Sequence, residues 1–317
     1  MLVSFVRRLL LGGTAIVAVS LGTYWFFSRN FYGPDYGRPI LPAWWNWLKG
    51  VPSGRSFGHV YGIDVPQLAP ALVHTLILLA VTLVLVVGAS ISIGSIAASH
   101  AGTLLDTGLR VFSYAAWAIP AFLFALILQS VFSWAGRSFG IHPFALFGWP
   151  GYCPAASPTD FYNGPCVAGT GLGYAGNLAR HVLLPAVALA VSFIGLHSRY
   201  LRSSLLVALH APYTTTARAK GLSERRVLLR HALRNSLVTF VSVLLLDFAS
   251  LFGAALAVDW VFKIGGLGTL FISEIANPTI DPNQVTSLLF LTALIVLAVS
   301  LLSDLILGFL DPRIHLA

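Results

Sequence analysis

Apolar residues run along this chain in six long blocks separated by polar stretches: approximately Leu9–Phe27, Leu68–Ala98, Val111–Phe132, His181–Leu209, Leu237–Phe262 and Val285–Leu310. A helix crosses a hydrocarbon layer in about 20 apolar residues, so the pattern predicts six membrane-crossing helices. The predicted fold is all-α and polytopic, because lipid leaves backbone polar groups no partner outside a helix or a closed barrel. Arg199 and Arg202 interrupt the fourth block, but their long stems can carry the charge to a membrane surface. Pro120 lies inside the third block and predicts a kink, with a neighbouring helix re-satisfying the freed carbonyl. A kink there suits gating of a path, and it equally suits an ordinary tolerated proline.

Composition supports this pattern. The 317 residues are 57% hydrophobic and only 9% charged, with mean hydropathy +0.82, whereas soluble domains carry about 25% charged residues. The excess of 19 Lys and Arg over 11 Asp and Glu reads as the basic loops of a membrane protein, not as a nucleic-acid surface. With the N-terminus inside, twelve basic residues fall on the cytoplasmic side and seven outside. The expected topology therefore has both termini in the cytoplasm. Arg7 and Arg8 ahead of an apolar run also fit a cleaved signal sequence, but the run is long for a signal core, and a retained first helix is the expectation. Residues 1–67 would hold that helix and an outer loop. Residues 68–317 would form a five-helix core with a cytoplasmic loop at about 208–235.

Two outer loops are distinctive. The first, 28–67, clusters Trp44, Trp45 and Trp47, which fits either a docking surface for an external partner or an interfacial aromatic belt. The second, 133–180, holds the two cysteines, Cys153 and Cys166. On an oxidising side they form a natural disulfide pair, with two free thiols as the alternative. No metal-ligand spacing accompanies them.

The loop between the fourth and fifth blocks contains TTARAKGLSERRVLLRHALRN, residues 215–235. Pro212 suits the first turn of a helix, residues 213–220 read as a short helix, and Gly221 suits a left-handed cap. Ser223 is placed to cap a second helix, with Glu224 in its first turn where the helix dipole favours negative charge. Arg225, Arg226, Arg230 and Arg234 then lead into the fifth block. Ala217 and Gly221, four apart, share a face that a partner backbone could approach, and the flanking cations offer charged hydrogen bonds to an acidic groove. A basic juxtamembrane helix held by anionic lipid is the alternative.

This segment resembles the EAA loop of bacterial ABC importer permeases, in particular the dipeptide/oligopeptide/nickel subfamily. Four further stretches are similar to that family in order: AIPAF (118–122), RHVLLPAVALA with SRYLRSSLL (180–190, 198–206), VDWVFKIGGLGTLF (258–271) and LLSDLILGFLDPR (301–313). There are departures. Thr215 stands at the first EAA position, Thr239 replaces a proline near the start of the fifth span, and Lys263-Ile264-Gly265 replaces Ser-Trp-Pro. The resemblance implies a type I ABC importer permease in a bacterial inner membrane. It makes Thr215, Thr216, Ala217, Arg218, Lys220, Gly221, Glu224 and Arg225 the loop that couples to an ATPase. It also implies a second homologous permease, two ATP-binding subunits and an extracytoplasmic solute-binding protein as partners. The implied cargo is di- or oligopeptide, with nickel chelates, haem or another small solute as alternatives.

The chain contains no GxxxxGK[ST] pattern, so it is not expected to hold ATP in the P-loop manner; the resemblance puts ATP and magnesium on the ATPase partners, and this chain is expected to bind no cofactor and to be no enzyme. Asp247 and Asp304 fall inside the fifth and sixth blocks, and an ionisable residue at membrane depth marks a functional candidate. Asp247 could meet a peptide amino terminus or a cation along a translocation path, or it could bond neighbouring helices. Asp259, beside the Gly265–Gly268 turn, is expected to line an outer vestibule on the resemblance. Two other classes remain: a proton-coupled secondary transporter using Asp247 and Asp304, and a membrane subunit with no transport path.

Overall fold

A computed structural model describes residues 2–30, 37–51, 65–140, 142–150, 159–160, 164–165, 172–276 and 281–310. Its elements are α1 (Leu2–Asn30), α2 (Ile40–Gly50), α3 (Val65–Ser99), α4 (Leu104–Ala118), α5 (Ala121–Phe139), α6 (Leu172–Leu209), α7 (Pro212–Ala219), α8 (Glu224–Arg226), a π-helical turn (Val227–Ala232), α9 (Leu233–Leu246), α10 (Phe248–Phe262), α11 (Leu267–Ile275) and α12 (Pro282–Leu310). The described strands are a two-residue pair, Thr159–Asp160 antiparallel to Gly164–Pro165. The expectation of an all-α fold holds. Among the described residues, six helical stretches are long and apolar enough to cross a membrane: Arg7–Asn30, Leu68–Ser99, Ala121–Phe139, Gly173–Leu209, Glu224–Leu246 and Pro282–Ser303; the bent pair Phe248–Phe262 and Leu267–Ile275 makes a seventh if it is one span.

α6 is the central rod, packing against α3, α4, α5, α9 and α10. The main core gathers buried residues from α3, α5, α6, α10 and α12 around Leu78, Leu189, Phe252 and Phe262. A second cluster, built on Leu201, Leu205, Ala232 and Phe240, fills the end of the bundle that carries α7.

Two expected spans are divided. The third block is not a kinked helix. Ile119, immediately before Pro120, adopts φ −89° and ψ 119°, and Pro120 begins a new helix, α5. Proline disfavours α geometry in the residue before it, so the helix stops there. The freed Ile119 carbonyl accepts a hydrogen bond from Ser192 Oγ on α6 at 2.8 Å. The fifth block, expected as one helix over Leu237–Phe262, is interrupted at Asp247, which has φ −83° and ψ 0°. The backbone ladder nevertheless continues through the joint, with Asp247 N donating to Val243 O and Leu251 N to Asp247 O, both at 3.0 Å. The apolar stretch also begins earlier, at Glu224.

The arginines of the fourth block do not need to snorkel. Arg199 lies over the rings of Tyr114 and Trp117, 4.3 and 5.1 Å from their centroids, and Arg202 bonds Asp106. The tryptophan cluster also takes a third course. α2 is a helix that turns Trp44 and Trp47 inward, where their indole N–H groups donate to Ser20 Oγ on α1 (3.2 Å) and Ser287 Oγ on α12 (2.9 Å). Trp45 remains exposed.

Candidate functional site

The loop after α6 folds into a compact polar knuckle. α6 ends at Leu209, leaving its last carbonyls without helical partners. Thr214, fully buried, points its hydroxyl at this end: the α6 carbonyls of Leu209 and Ala208 lie at 3.0 and 3.2 Å, and that of Ala211, the N-cap of α7, at 2.7 Å. Arg218 Nη1 also donates to Leu209 O at 3.0 Å. Pro212 occupies the first turn of α7, as the sequence suggested. The helix then closes in a Schellman motif: Gly221 N donates to Arg218 O at 2.8 Å and Leu222 N to Ala217 O at 3.3 Å. Gly221 takes φ +79°, a backbone state that favours glycine.

The knuckle differs from the expectation in two respects. Ala217 does not share an outward face with Gly221. It is only 5% exposed and faces its own chain, because α7 lies on the π turn and the end of α6. Arg218 is already engaged within its own chain. Its Nε and Nη2 donate to the two carboxylate oxygens of Glu224 at 2.7 and 3.2 Å, a bidentate clamp across the glycine turn. Thr215, Thr216, Lys220, Gly221 and Arg225 remain exposed. Ser223 takes the N-cap position without a side-chain cap bond.

Beside the knuckle, α4 is clasped to α6. Asp106, 1% exposed, accepts from Arg202 Nε at 2.6 Å and Nη2 at 2.7 Å. It also accepts from Gly102 N at 3.0 Å. The Arg202 hydrogen bonds hold the Asp106 carboxyl below the usual carboxylate range. The pair therefore contributes fully above an unfolded carboxyl pKa of about 4 and loses its contribution as the pH falls through the lower folded value. Arg202→Ala leaves the buried carboxylate with Gly102 N and the more distant Arg110 Nε at 3.7 Å, and is expected to cost on the order of 3 kcal/mol. Thermal unfolding in detergent checks this: the loss should shrink when Asp106→Asn is added, and equal melting of the single and double variants would refute the pairing.

Asp247, at the joint between α9 and α10, faces α6. Its Oδ2 lies 3.5 Å from Nε2 of His197, whose side chain is 0% exposed against 31% for Asp247. Nothing local to His197 marks this contact in the sequence, because 50 positions separate it from Asp247. Asp259 does not line an opening. It is 1% exposed, and its carboxylate accepts from Gly266 N (3.1 Å), Gly268 N (2.8 Å), Thr269 N (3.2 Å) and Thr269 Oγ1 (2.8 Å). It thereby caps α11, which meets α10 at a bend of 72°. The side chain of Asp304 and both Cys153 and Cys166 lie outside the described residues. Among the described residues, no group of three or more His, Cys, Asp or Glu side chains could hold a metal.

Residues 90–316 match the family described as binding-protein-dependent transport system inner membrane component. The chain is 32% identical over 294 residues to the oligopeptide transport system permease protein AppB of Bacillus subtilis, covering 91% of this chain and 85% of the relative. It is 31% identical over 279 residues to a probable peptide ABC transporter permease protein of Sinorhizobium fredii, covering 87% and 81%. It is 31% identical over 284 residues to the oligopeptide transport system permease protein OppB of Mycobacterium tuberculosis, covering 88% and 82%.

Proposed function

The chain belongs to the family of binding-protein-dependent transport system inner membrane components, and from that premise we propose that it is one permease subunit of an ATP-driven importer of di- or oligopeptides. In this reading it forms half of the translocation path beside a second homologous permease. Two ATPase subunits bind ATP and magnesium, and an extracytoplasmic binding protein delivers the cargo. The end of the bundle carrying α7 faces the cytoplasm of a bacterial inner membrane, in keeping with the twelve basic residues assigned to that side.

The observation that carries the proposal is the self-tied knuckle. Its internal bonds fix α7 on the end of α6, while Thr215, Thr216, Lys220 and Arg225 remain exposed. A loop braced in this way transmits a push from a docked motor to the membrane helices. ATP energy enters as a difference in the loop's affinity between two states of the ATPase pair.

Purification of the tagged chain from bacterial membranes in mild detergent is expected to recover ATPase subunits and a second permease in fixed proportion. Peptide uptake by the reconstituted assembly is expected to require internal ATP and to survive a protonophore. Uptake that collapses with the proton gradient at constant ATP, with no ATPase retained, would overturn the reading in favour of a secondary transporter.

A further inference from the structure

The joint between α9 and α10 places a carboxylate deep in the bundle. The backbone ladder runs unbroken from α9 into α10, and Asp247 is fourteen residues from Leu233 at the start of α9 and fifteen from Phe262 at the end of α10. At 1.5 Å per residue these separations are roughly 21 and 22 Å, which puts Asp247 at the middle of a rod longer than the hydrocarbon layer, about 30 Å thick. A carboxylate that is 31% exposed at this depth cannot face lipid chains without a large desolvation cost. Its open side therefore belongs to a water-filled path or to a partner subunit.

Its other side meets a histidine of fixed tautomer. His197 Nδ1 lies 2.9 Å from the Phe193 carbonyl, an oxygen that only accepts, so Nδ1 carries the hydrogen and donates. Nε2 is buried without a hydrogen-bond partner and points at Asp247 Oδ2, 3.5 Å away. The rings of Phe193 and Phe240 flank the imidazole, with centroids 6.3 and 6.0 Å from its own. A bare Nε2 lone pair facing a bare carboxylate would set two acceptors against each other in an apolar setting. One proton on either atom removes the conflict and makes the pair neutral overall. Among the described residues, Asp247 is the charged group within ion-pair distance of His197.

We propose that the Asp247 carboxylate is a way-station for the ammonium of the cargo, and that His197 and Asp247 together hold a proton that the arriving ammonium displaces. The substrate class named here, a peptide with a free amino terminus, rests on the peptide-permease reading above. The charge balance is simple. The empty pair carries one proton and is neutral. The loaded site carries one ammonium on one carboxylate, also neutral, with the displaced proton released to water and the Nε2 lone pair of neutral His197 facing a carboxylate whose charge the ammonium now balances. No unpaired charge appears at depth in either state, which is what the low dielectric demands.

The full-length chain in lipid nanodiscs, labelled with 15N-histidine, tests this without any partner. His197→Gln identifies the His197 signals among those of the nine histidines. Saturating trialanine is expected to move the Nε2 resonance to that of a bare acceptor nitrogen, and N-acetyl-trialanine is expected to leave it in place. Asp247→Asn should abolish the response, and Asp247→Glu should restore it. An Nε2 signal indifferent to trialanine overturns the proposal.

In the reconstituted importer with an unchanged binding protein, Asp247→Asn is expected to lower trialanine uptake about tenfold while sparing the acetylated peptide, the loss expected for one charge-assisted contact. Equal losses for both peptides assign Asp247 to helix packing and also overturn it. Failure of the wild-type importer to move either peptide would sink the peptide reading alone, and the nanodisc spectra would still decide the site.

Discussion

Gly221→Val is expected to abolish ATP-dependent uptake while leaving the chain inserted and folded. The glycine sits at φ +79° with open space around the position where a side chain would begin, so the penalty is conformational and not a clash. Left-handed geometry costs an ordinary L-residue about 1–2 kcal/mol, and β-branched valine tolerates it poorly. That strain is relieved by opening the turn, which breaks the bonds from Gly221 N to Arg218 O and from Leu222 N to Ala217 O. The Arg218–Glu224 clamp spans the same turn and would be lost with it. The cluster beneath, built on Leu201, Leu205 and Phe240, does not depend on the turn, so insertion is expected to survive. ATPase subunits recovered per permease should fall at least about tenfold, corresponding to roughly 1.4 kcal/mol of lost docking. Gly221→Asn should be milder, because asparagine visits left-handed geometry more readily. Normal uptake by the valine variant would show that the knuckle does not couple to a motor.

The second large effect is expected at the opposite end. Asp259→Ala removes the acceptor for three backbone N–H groups and one hydroxyl at the start of α11. Each buried donor left unpaired costs about 1–3 kcal/mol, so a loss on the order of 4 kcal/mol or more is expected, read as an early thermal transition in detergent. Asp259→Asn keeps one oxygen and should fall between alanine and wild type. Gly268→Ala attacks the same corner by another route, because its added carbon would meet the Leu256 carbonyl, a backbone atom that cannot swing aside. Melting of Asp259→Ala that matches the wild type would show that α11 is held without the cap.

Much of this architecture was legible in the sequence. Uninterrupted apolar blocks have few structural solutions in lipid, so the helices followed from composition. Pro212 and Gly221 acted as local signals because each restricts its own backbone angles. The features that escaped depend on distant partners or on which way a face turns. Asp106 and Arg202 are 96 positions apart, and nothing local to either marks the clasp. Ala217 and Gly221 have helical spacing, but a left-handed residue ends the helix, and the shared-face argument ends with it. Asp259 lies nine positions before Gly268, and only the 72° bend brings the α11 amide groups onto its carboxylate. The buried tryptophans were a missed local signal: Trp44 and Trp47, three apart, mark one face of a helix, with Trp45 on the other.

The π turn was also written in the spacing. Val227, Ala232, Ser236 and Phe240 are all buried, at intervals of five, four and four. The wide turn of Val227–Ala232, closed by Leu233 N bonding Leu228 O, absorbs the interval of five and keeps the stripe unbroken. A further inserted residue would rotate everything ahead of it by about 100° around the axis, one residue's share of a 3.6-residue turn. Thr215, Thr216 and Arg225 would then look out along a different azimuth. The direction in which this protein presents its polar protrusion is therefore set by how many residues the turn contains, whatever those residues are.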